Sequence, residues 1–295
     1  MSGHRSTDAA RPAVHPGRPL AGLVDPAEDG RLARDGFVVL AERLASEQID
    51  ELEGLHRWAE AVCGRDETGL FFPSMLMSDP EVRARIWDEV RRVVGPHVDR
   101  CFREGAYASM GGLFVTKPPS QSSMRTPHQD PTAFDETNQL GLSVWIPLAP
   151  VTRENGTVHL LPGSHRMGNH VRPRDVESLS PQLEEVALRD SVAIDLEAGQ
   201  MLLIDGAVIH HSPPNRSTQD RIALICTLRP AAAQLLFVLS QRGLPNGIAD
   251  VHEVTEEMYR SGDVRAPVFD ACETVSHRAY RQVGPADLER SLEAG

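Results

Sequence analysis

Hydrophobic positions recur at two different periods along this chain, and the change falls near residue 105. Before it, SEQIDELEGLHRWAEAV sets Ile49, Leu52, Leu55, Trp58 and Val62 three or four residues apart, with Ser46 available as an N-cap. That spacing predicts an amphipathic helix. Asp79-Pro80-Glu81 is a second start signal, and Val82, Ile86, Val90 and Val94 follow it on one stripe. Upstream, Phe37-Val38-Val39-Leu40 after the Asp35-Gly36 turn predicts a strand. Residues 1–28 mix Pro, Arg, His and small residues without periodicity and read as an arm, so a single domain is expected over 29–295.

After residue 105 the period is two. GGLFVTK, LGLSVWIPL, TVHLL, VAIDL, GQMLLID, AVIH and RIALICTLR are short apolar or alternating runs separated by Pro, Gly, Asn and Asp turns. The series predicts a mainly β core over about 105–240, a sandwich or jelly roll with flanking helices on one sheet face. In LGLSVWIPL, Leu140, Leu142, Val144, Ile146 and Leu148 share one side, and Gly141, Ser143, Trp145 and Pro147 the other. The first face suits a core. The second, small and mixed, suits a cavity wall, which makes Ser143 and Trp145 candidate pocket residues; Trp145 as plain core filling is the competing reading. Near residue 240 the alternation ends, and residues 241–295 read as a covering segment with a helix near Thr255–Tyr259.

Composition narrows the function classes. A chain of 295 residues, 40% hydrophobic, can bury a substantial core. Its 30 Lys and Arg are scattered and outnumbered by 42 Asp and Glu, a net charge of −12 that disfavours nucleic acid as a partner. The longest apolar runs, such as AAAQLLFVL, are too short to span a bilayer, and the first residues lack a signal peptide's apolar region; a cytoplasmic protein is expected. Cys63, Cys101, Cys226 and Cys272 have neither metal-site nor redox spacing and read as buried thiols. His56 and His97 fall in the helical half, where solvation or helix-end capping is expected of them.

The candidate chemistry lies in the β half. In PHQD, His128 and Asp130 are two apart, so an extended segment projects both to one face and Gln129 to the other. A third donor 82 residues after His128, in AVIHHSPPN, would complete two histidines and a carboxylate on one face of a divalent ion, a set that suits iron(II) and leaves coordination positions open. His210 and His211 are adjacent, and along a strand they face opposite ways.

PHQD, SVWIPLAPVTRENGTVHLLPGSH and GQMLLIDGAVIHHSPPNRSTQDR together resemble the phytanoyl-CoA dioxygenase-like family of iron(II)- and 2-oxoglutarate-dependent oxygenases, over about residues 32–229. The resemblance implies a double-stranded β-helix, or jelly-roll, core and an iron triad of His128, Asp130 and His210, with Ser212 and Asn215 at following family positions and His211 at a variable one. It places the arginine for the distal carboxylate of 2-oxoglutarate at Arg221, eleven residues after His210. A guanidinium fork suits that task, and Arg216, in the polar turn PPNRSTQD, is the weaker competitor. Lys117, in the family-like context KPP, is a candidate for a carboxylate at the pocket rim, with solvation as its alternative. Phe134 is a candidate border of the substrate, and His165 in LPGSH reads as structural.

The activity that the resemblance implies is oxidation of a small molecule. Iron(II), 2-oxoglutarate and O2 together are expected to hydroxylate an unactivated C–H bond of a small metabolite or natural-product intermediate, with succinate and CO2 formed. No separate general acid, base or nucleophile is needed. Related halogenases carry a small residue at the carboxylate position, so Asp130 favours hydroxylation over halogenation. Desaturation, cyclisation or epimerisation, a metal-dependent jelly-roll enzyme that does not use 2-oxoglutarate, and a non-catalytic β-sandwich binding protein are the alternatives.

Overall fold

A computed structural model describes residues 21–64, 70–137, 139–168, 170–265, 267, 269 and 275–293. The first helix, α1 (Pro26–Asp35), begins where the Asp25 carboxylate accepts from the Ala27 N–H, and it stops at Gly36, whose φ of 85° admits no side chain cheaply. β1 (Phe37–Arg43) leads into α2 (Ser46–Cys63). The expected Ser46 cap is not made, because Ser46 is already helical; the Gln48 side chain accepts from the Ala45 N–H at 2.9 Å instead. After β2 (Phe72–Pro73), α3 (Pro80–Cys101) starts at Asp79, which accepts from the Glu81 and Val82 N–H groups. Its stripe of Val82, Ile86, Val90 and Val94 is buried, as the spacing predicts.

Residues 21–28, grouped with the arm by composition, pack on the fold: Ala21 and Leu23 are buried and Leu23 bridges Phe102. Two isolated apolar anchors leave no periodicity to read. Residues 1–20 lie outside the described residues.

The β half continues with β3 (Tyr107–Lys117), β4 (Arg125–His128), β5 (Leu142–Pro147), β6 (His159–Leu160), α4 (Pro181–Asp190), β7 (Val192–Ala193), β8 (Gln200–Asp205), β9 (His210–Ser212) and β10 (Arg221–Pro230). A six-stranded sheet has the order β1-β8-β5-β10-β3-β2, and a four-stranded sheet the order β4-β9-β6-β7. All their ladders are antiparallel. Among the described residues no ladder joins the two sheets into a closed barrel. Val115, Trp145, Leu202 and Ala223 of the large sheet pack on Val158, Leu160 and Val208 from the small side. On the outer face, Leu142, Val144, Ile146, Leu203 and Leu224 pack on Leu52, Val90 and Val94 of the helices. The two faces read from LGLSVWIPL are therefore both observed.

Several runs are used differently from their sequence reading. AVIH is not one strand: the Asp205 carboxylate accepts from the Ala207 N–H at 2.9 Å, holds residues 205–208 in a turn, and delays the strand until His210. The alternation also does not end at 240. β11 (Leu235–Ser240), β12 (Gly247–Val254) and β13 (Val275–Tyr280) form a third antiparallel sheet; α5 (Glu256–Arg260) packs on it, and α6 (Pro285–Glu293) packs on α4 and the turn at residues 164–167. Ala249 and Val251 pack inward on Leu236, Val238 and Tyr280 and alternate with Asp250 and His252, so the period of two continues beyond residue 240.

His56 and His97 are buried and hydrogen-bonded rather than solvated: His56 Nε2 lies 2.9 Å from Thr116 Oγ1, and His97 Nδ1 lies 2.6 Å from Glu42. Cys101 and Cys226 are buried free thiols and Cys63 is half-buried, while Cys272 lies outside the described residues. No described helix is long and apolar enough to cross a membrane.

Candidate metal centre and its cavity

The end of β4 and the start of β9 are register partners, so His128 and His210 stand opposite each other with ring centroids 4.2 Å apart. Asp130 arrives just past β4, where its N–H donates to the Gly206 carbonyl at 2.8 Å. The three side chains offer ligand atoms within 4.8 Å of one another. His210 Nε2 is 3.7 Å from Asp130 Oδ1.

The ring orientations are fixed by backbone. His128 Nδ1 lies 2.8 Å from the Thr126 carbonyl and His210 Nδ1 2.9 Å from that of Val208. A carbonyl only accepts, so each Nδ1 donates and each Nε2 keeps its lone pair for an ion. Burial, with His210 and Arg125 nearby, holds His128 well below the usual imidazole range, so it presents a neutral ring. The Asp130 side chain retains 41% exposure, which leaves the metal-facing side open to small ligands.

A second layer holds Asp130 in place. Arg172, almost fully buried, donates from Nε to the Asp130 carbonyl at 2.6 Å and pairs through Nη2 with Glu136 at 2.6 Å. Gln129 faces away, as the two-residue period requires, and donates to the Ala207 carbonyl at 2.6 Å. This ties the turn before β9 to the end of β4. The sequence reading has no signal for Arg172, which is 42 residues from the group it holds.

The centre opens into a cavity of about 650 Å³, in the usual range for small-molecule sites. Phe134, Ser143 and Trp145 all line it, together with Arg221 and Ser212. Arg221 is 3% exposed, and burial pushes its guanidinium down to about 9, so it stays charged at neutral pH. Its Nη2 reaches Ser212 Oγ at 3.4 Å, while Nε and Nη1 are buried without a hydrogen-bond partner. Trp145 lies against it, with the guanidinium carbon 5.4 Å from the ring centroid. Two unmet donors on a buried cation call for an anion with two acceptor oxygens, so the site fits a carboxylate.

Lys117 is neither at the rim nor solvated. It pairs with Arg221 in the β3–β10 register, shares the inward face with Leu113 and Val115, and is fully buried. Its Nζ donates to the carbonyls of Ser212 and Pro213 at 2.9 and 2.7 Å. Burial, with Arg221 beside it, pushes the amine down to about 6. Asn215 closes the same turn by donating to the Lys117 and Gln219 carbonyls.

His211 also differs from the expected outward neighbour. It is 4% exposed, packs on His159 with centroids 4.8 Å apart, borders the cavity, and has both ring nitrogens buried without a partner. His165 is buried, with Nε2 at 3.1 Å from the Ala33 carbonyl. Cavity residues that the sequence reading misses include Arg125, Trp87 and Arg174, as well as Tyr259 and Val264 of the covering segment. Arg125 lies within reach of the strand reading, three residues before His128; the others come from elements whose meeting is tertiary.

Comparison with known proteins agrees with this geometry. Phytanoyl-CoA dioxygenase of Arabidopsis thaliana is 31% identical over 120 residues, covering 39% of this chain and 41% of that protein. The phytanoyl-CoA dioxygenase domain-containing protein 1 homolog of Dictyostelium discoideum is 33% identical over 104 residues, covering 32% and 37%. The chain thus matches about two fifths of these relatives' length. Among solved structures, a non-heme α-ketoglutarate-dependent carbocyclase from nogalamycin biosynthesis superposes with a TM-score of 0.53 at 19% identity, over 74% of this chain and 89% of that one. EctD from S. alaskensis, solved with 2-oxoglutarate and 5-hydroxyectoine, gives 0.51 at 19% identity, over 77% and 83%. Both likenesses are of fold, and they align the antiparallel sheets and helices with the architecture that the jelly-roll enzymes share. The phytanoyl-CoA dioxygenase (PhyH) model matches residues 32–223, well over half of the sequence, and the chain belongs to that family.

Proposed function

We propose that the protein is an iron(II)- and 2-oxoglutarate-dependent oxygenase that hydroxylates a C–H bond of a small molecule. The observation that carries this reading is the pairing, in one cavity, of three convergent ligand atoms with a buried arginine whose Nε and Nη1 lack acceptors. Iron(II) with 2-oxoglutarate and O2 supplies the oxidising power: one oxygen atom enters the product, the other enters succinate, and CO2 leaves.

The chain's own residues provide everything else. His128 Nε2, His210 Nε2 and an Asp130 oxygen hold the ion, each residue oriented by its contact with the backbone or with Arg172. Arg221, with Ser212 beside it, takes the distal carboxylate of the co-substrate. Lys117 acts from behind, keeping the turn after β9 in position, and does not form part of the rim. Phe134, Ser143 and Trp145 shape the substrate's side of the cavity and exclude water from the reacting carbon. We read the two packed sheets as a double-stranded β-helix within a single oxygenase domain that takes in residues 21–28, with Leu235 of the third sheet and Tyr259–Val264 closing the cavity. The charge of −12 disfavours a nucleic-acid partner.

The test supplies the purified protein with iron(II), O2 and 2-oxoglutarate across a metabolite panel and measures substrate-dependent succinate and product mass. A gain of one oxygen is expected. Loss of two hydrogens moves the reaction to desaturation or cyclisation, and inverted stereochemistry at constant mass moves it to epimerisation. Turnover that persists without 2-oxoglutarate rejects the proposal even if the triad holds the metal, and iron-free protein that only binds ligand assigns a binding function.

A further inference from the structure

The cavity carries more positive charge than this chemistry uses. Arg83, Arg125, Arg174, Arg221 and Arg260 all line it. Arg83 spends both terminal nitrogens on the Met77 and Ser261 carbonyls, and Arg260 is paired with Asp88 and Glu257. Arg221 faces the co-substrate. The Arg125 side chain makes no hydrogen bond or ion pair among the described residues. Arg174 lies over the rings of Phe237 and Tyr259, 4.8 and 5.6 Å from their centroids, which hold its plane but supply no anion.

The acidic side of the balance is already committed. Of the carboxylates lining the cavity, Asp130 belongs to the metal and Glu136 pairs with Arg172. An iron(II) ion, Asp130, the 2-oxoglutarate dianion and Arg221 cancel in charge. Among the described residues, Arg83 is also without a carboxylate but has its terminal nitrogens on carbonyls; Arg125 and Arg174 then remain as the cavity cations with neither a carboxylate nor a carbonyl acceptor for the guanidinium. In the free protein water solvates them, and a ligand that expels this water must supply acceptors in its place; an oxyanion does so best, through charge-assisted hydrogen bonds. Much of the remaining wall is apolar, with Phe71, Leu76, Trp87, Met110, Phe134 and Leu235.

We propose that the substrate is an amphipathic acid: an apolar body bearing a carboxylate or similar oxyanion, which Arg125 and Arg174 select. The proposal rests on the oxygenase reading of the same cavity. Arg125 is three residues before His128 on β4 and is the register partner of Ser212 on β9, so an anion held there lies beside the metal-ligand strands. These two arginines are specificity-determining residues, separate from the arginine of the co-substrate.

The test uses the full chain loaded with zinc and saturated with 2-oxoglutarate, which binds without turning over. Calorimetric titration compares phenylalkanoates, from phenylacetate to 8-phenyloctanoate, with their primary amides. At least one acid is expected to bind tenfold or more tightly than its amide. Arg125→Gln is expected to remove most of that preference and Arg174→Gln to reduce it, with zinc and 2-oxoglutarate affinity unchanged within twofold; Arg174→Lys, which keeps the charge, retains it. Acids that bind no better than amides, or no binding by any acid in the series, overturns the proposal. So does a 2-oxoglutarate affinity that falls as far in Arg125→Gln as in Arg221→Gln, since Arg125 would then serve the co-substrate. Wild-type protein that takes no 2-oxoglutarate rejects the oxygenase reading instead, and the acid–amide comparison with zinc alone still decides this one.

Discussion

His210 and His211 differ by one position and by what their nitrogens meet. His210 has its Nδ1 committed to Val208 and its Nε2 beside Asp130, whereas His211 is packed on His159 with neither nitrogen bonded. His210→Ala is expected to abolish stoichiometric metal binding and turnover, because it deletes one of three donors. His211→Ala is expected to keep metal occupancy within about twofold, since the triad and its backbone contacts are untouched. Metal analysis of the two variants decides it, and equal loss in both would reject the assignment. Strand alternation alone in the sequence separates the two residues without ranking them; the family spacing selects His210. Neither shows that His211 is buried, because that depends on His159 from another strand.

Lys117 gives a second residue-scale prediction. Its folded pKa of about 6 lies below the 10.5 of an ordinary lysine amine. Across that window the unfolded chain holds a proton that the native ligand-free protein does not, so this residue makes stability rise with pH, by up to about 1.4 kcal/mol per unit. Below pH 6 the native state must bury the charge and the contribution is least favourable. Lys117→Met removes this slope. Urea unfolding of both proteins should show the stability of the variant minus that of wild type falling between pH 6 and pH 9, whatever its absolute value. A constant difference would mean that Lys117 stays charged throughout.

At the scale of elements, α3 and β3 meet with almost no space between them. A Cβ at Gly112 would come within 2.4 Å of the Ile225 carbonyl and 2.8 Å of Val90 Cγ1, with backbone on one side and helix on the other. Gly112→Ala is therefore expected to cost roughly 1–3 kcal/mol or more as overpacking, because a shift of α3 frees Val90 but not the Ile225 carbonyl of β10. Chemical denaturation with an unchanged m-value would show it, and a cost near zero would mean that the β3–β10 ladder as well as α3 gives way freely. In the sequence, GGLFVTK reads as a strand, yet its glycines carry no hint of the helix above them. The same limit explains the small sheet. β6 and β7 have two residues each and β9 has three, so the runs TVHLL, VAIDL and AVIH mark where strands lie without fixing where each begins, and the ligand position on β9 is legible by motif. Central strands such as β5 are legible because six consecutive buried residues still divide into an aliphatic face and a mixed one.

At the scale of the molecule, the metal would join two segments that the chain separates by 80 residues, Asp130 after β4 and His210 on β9. An ion that binds this folded arrangement and not the unfolded chain stabilises by mass action, by about 2.7 kcal/mol at a hundred times Kd. For a domain of this size that is a rise in Tm of roughly 5–10 °C. Zinc added to chelator-treated protein should produce it, and Asp130→Ala should lose most of it. 2-Oxoglutarate should add a further rise when metal is present and little without it, because a chelating ligand needs the ion as well as Arg221. Arg221→Gln should keep the metal increment and lose most of the co-substrate increment. These melting curves separate the two halves of the site: a 2-oxoglutarate increment that survives both chelation and Arg221→Gln would place its binding outside this cavity, whereas a metal increment that survives Asp130→Ala would place the ion on other donors.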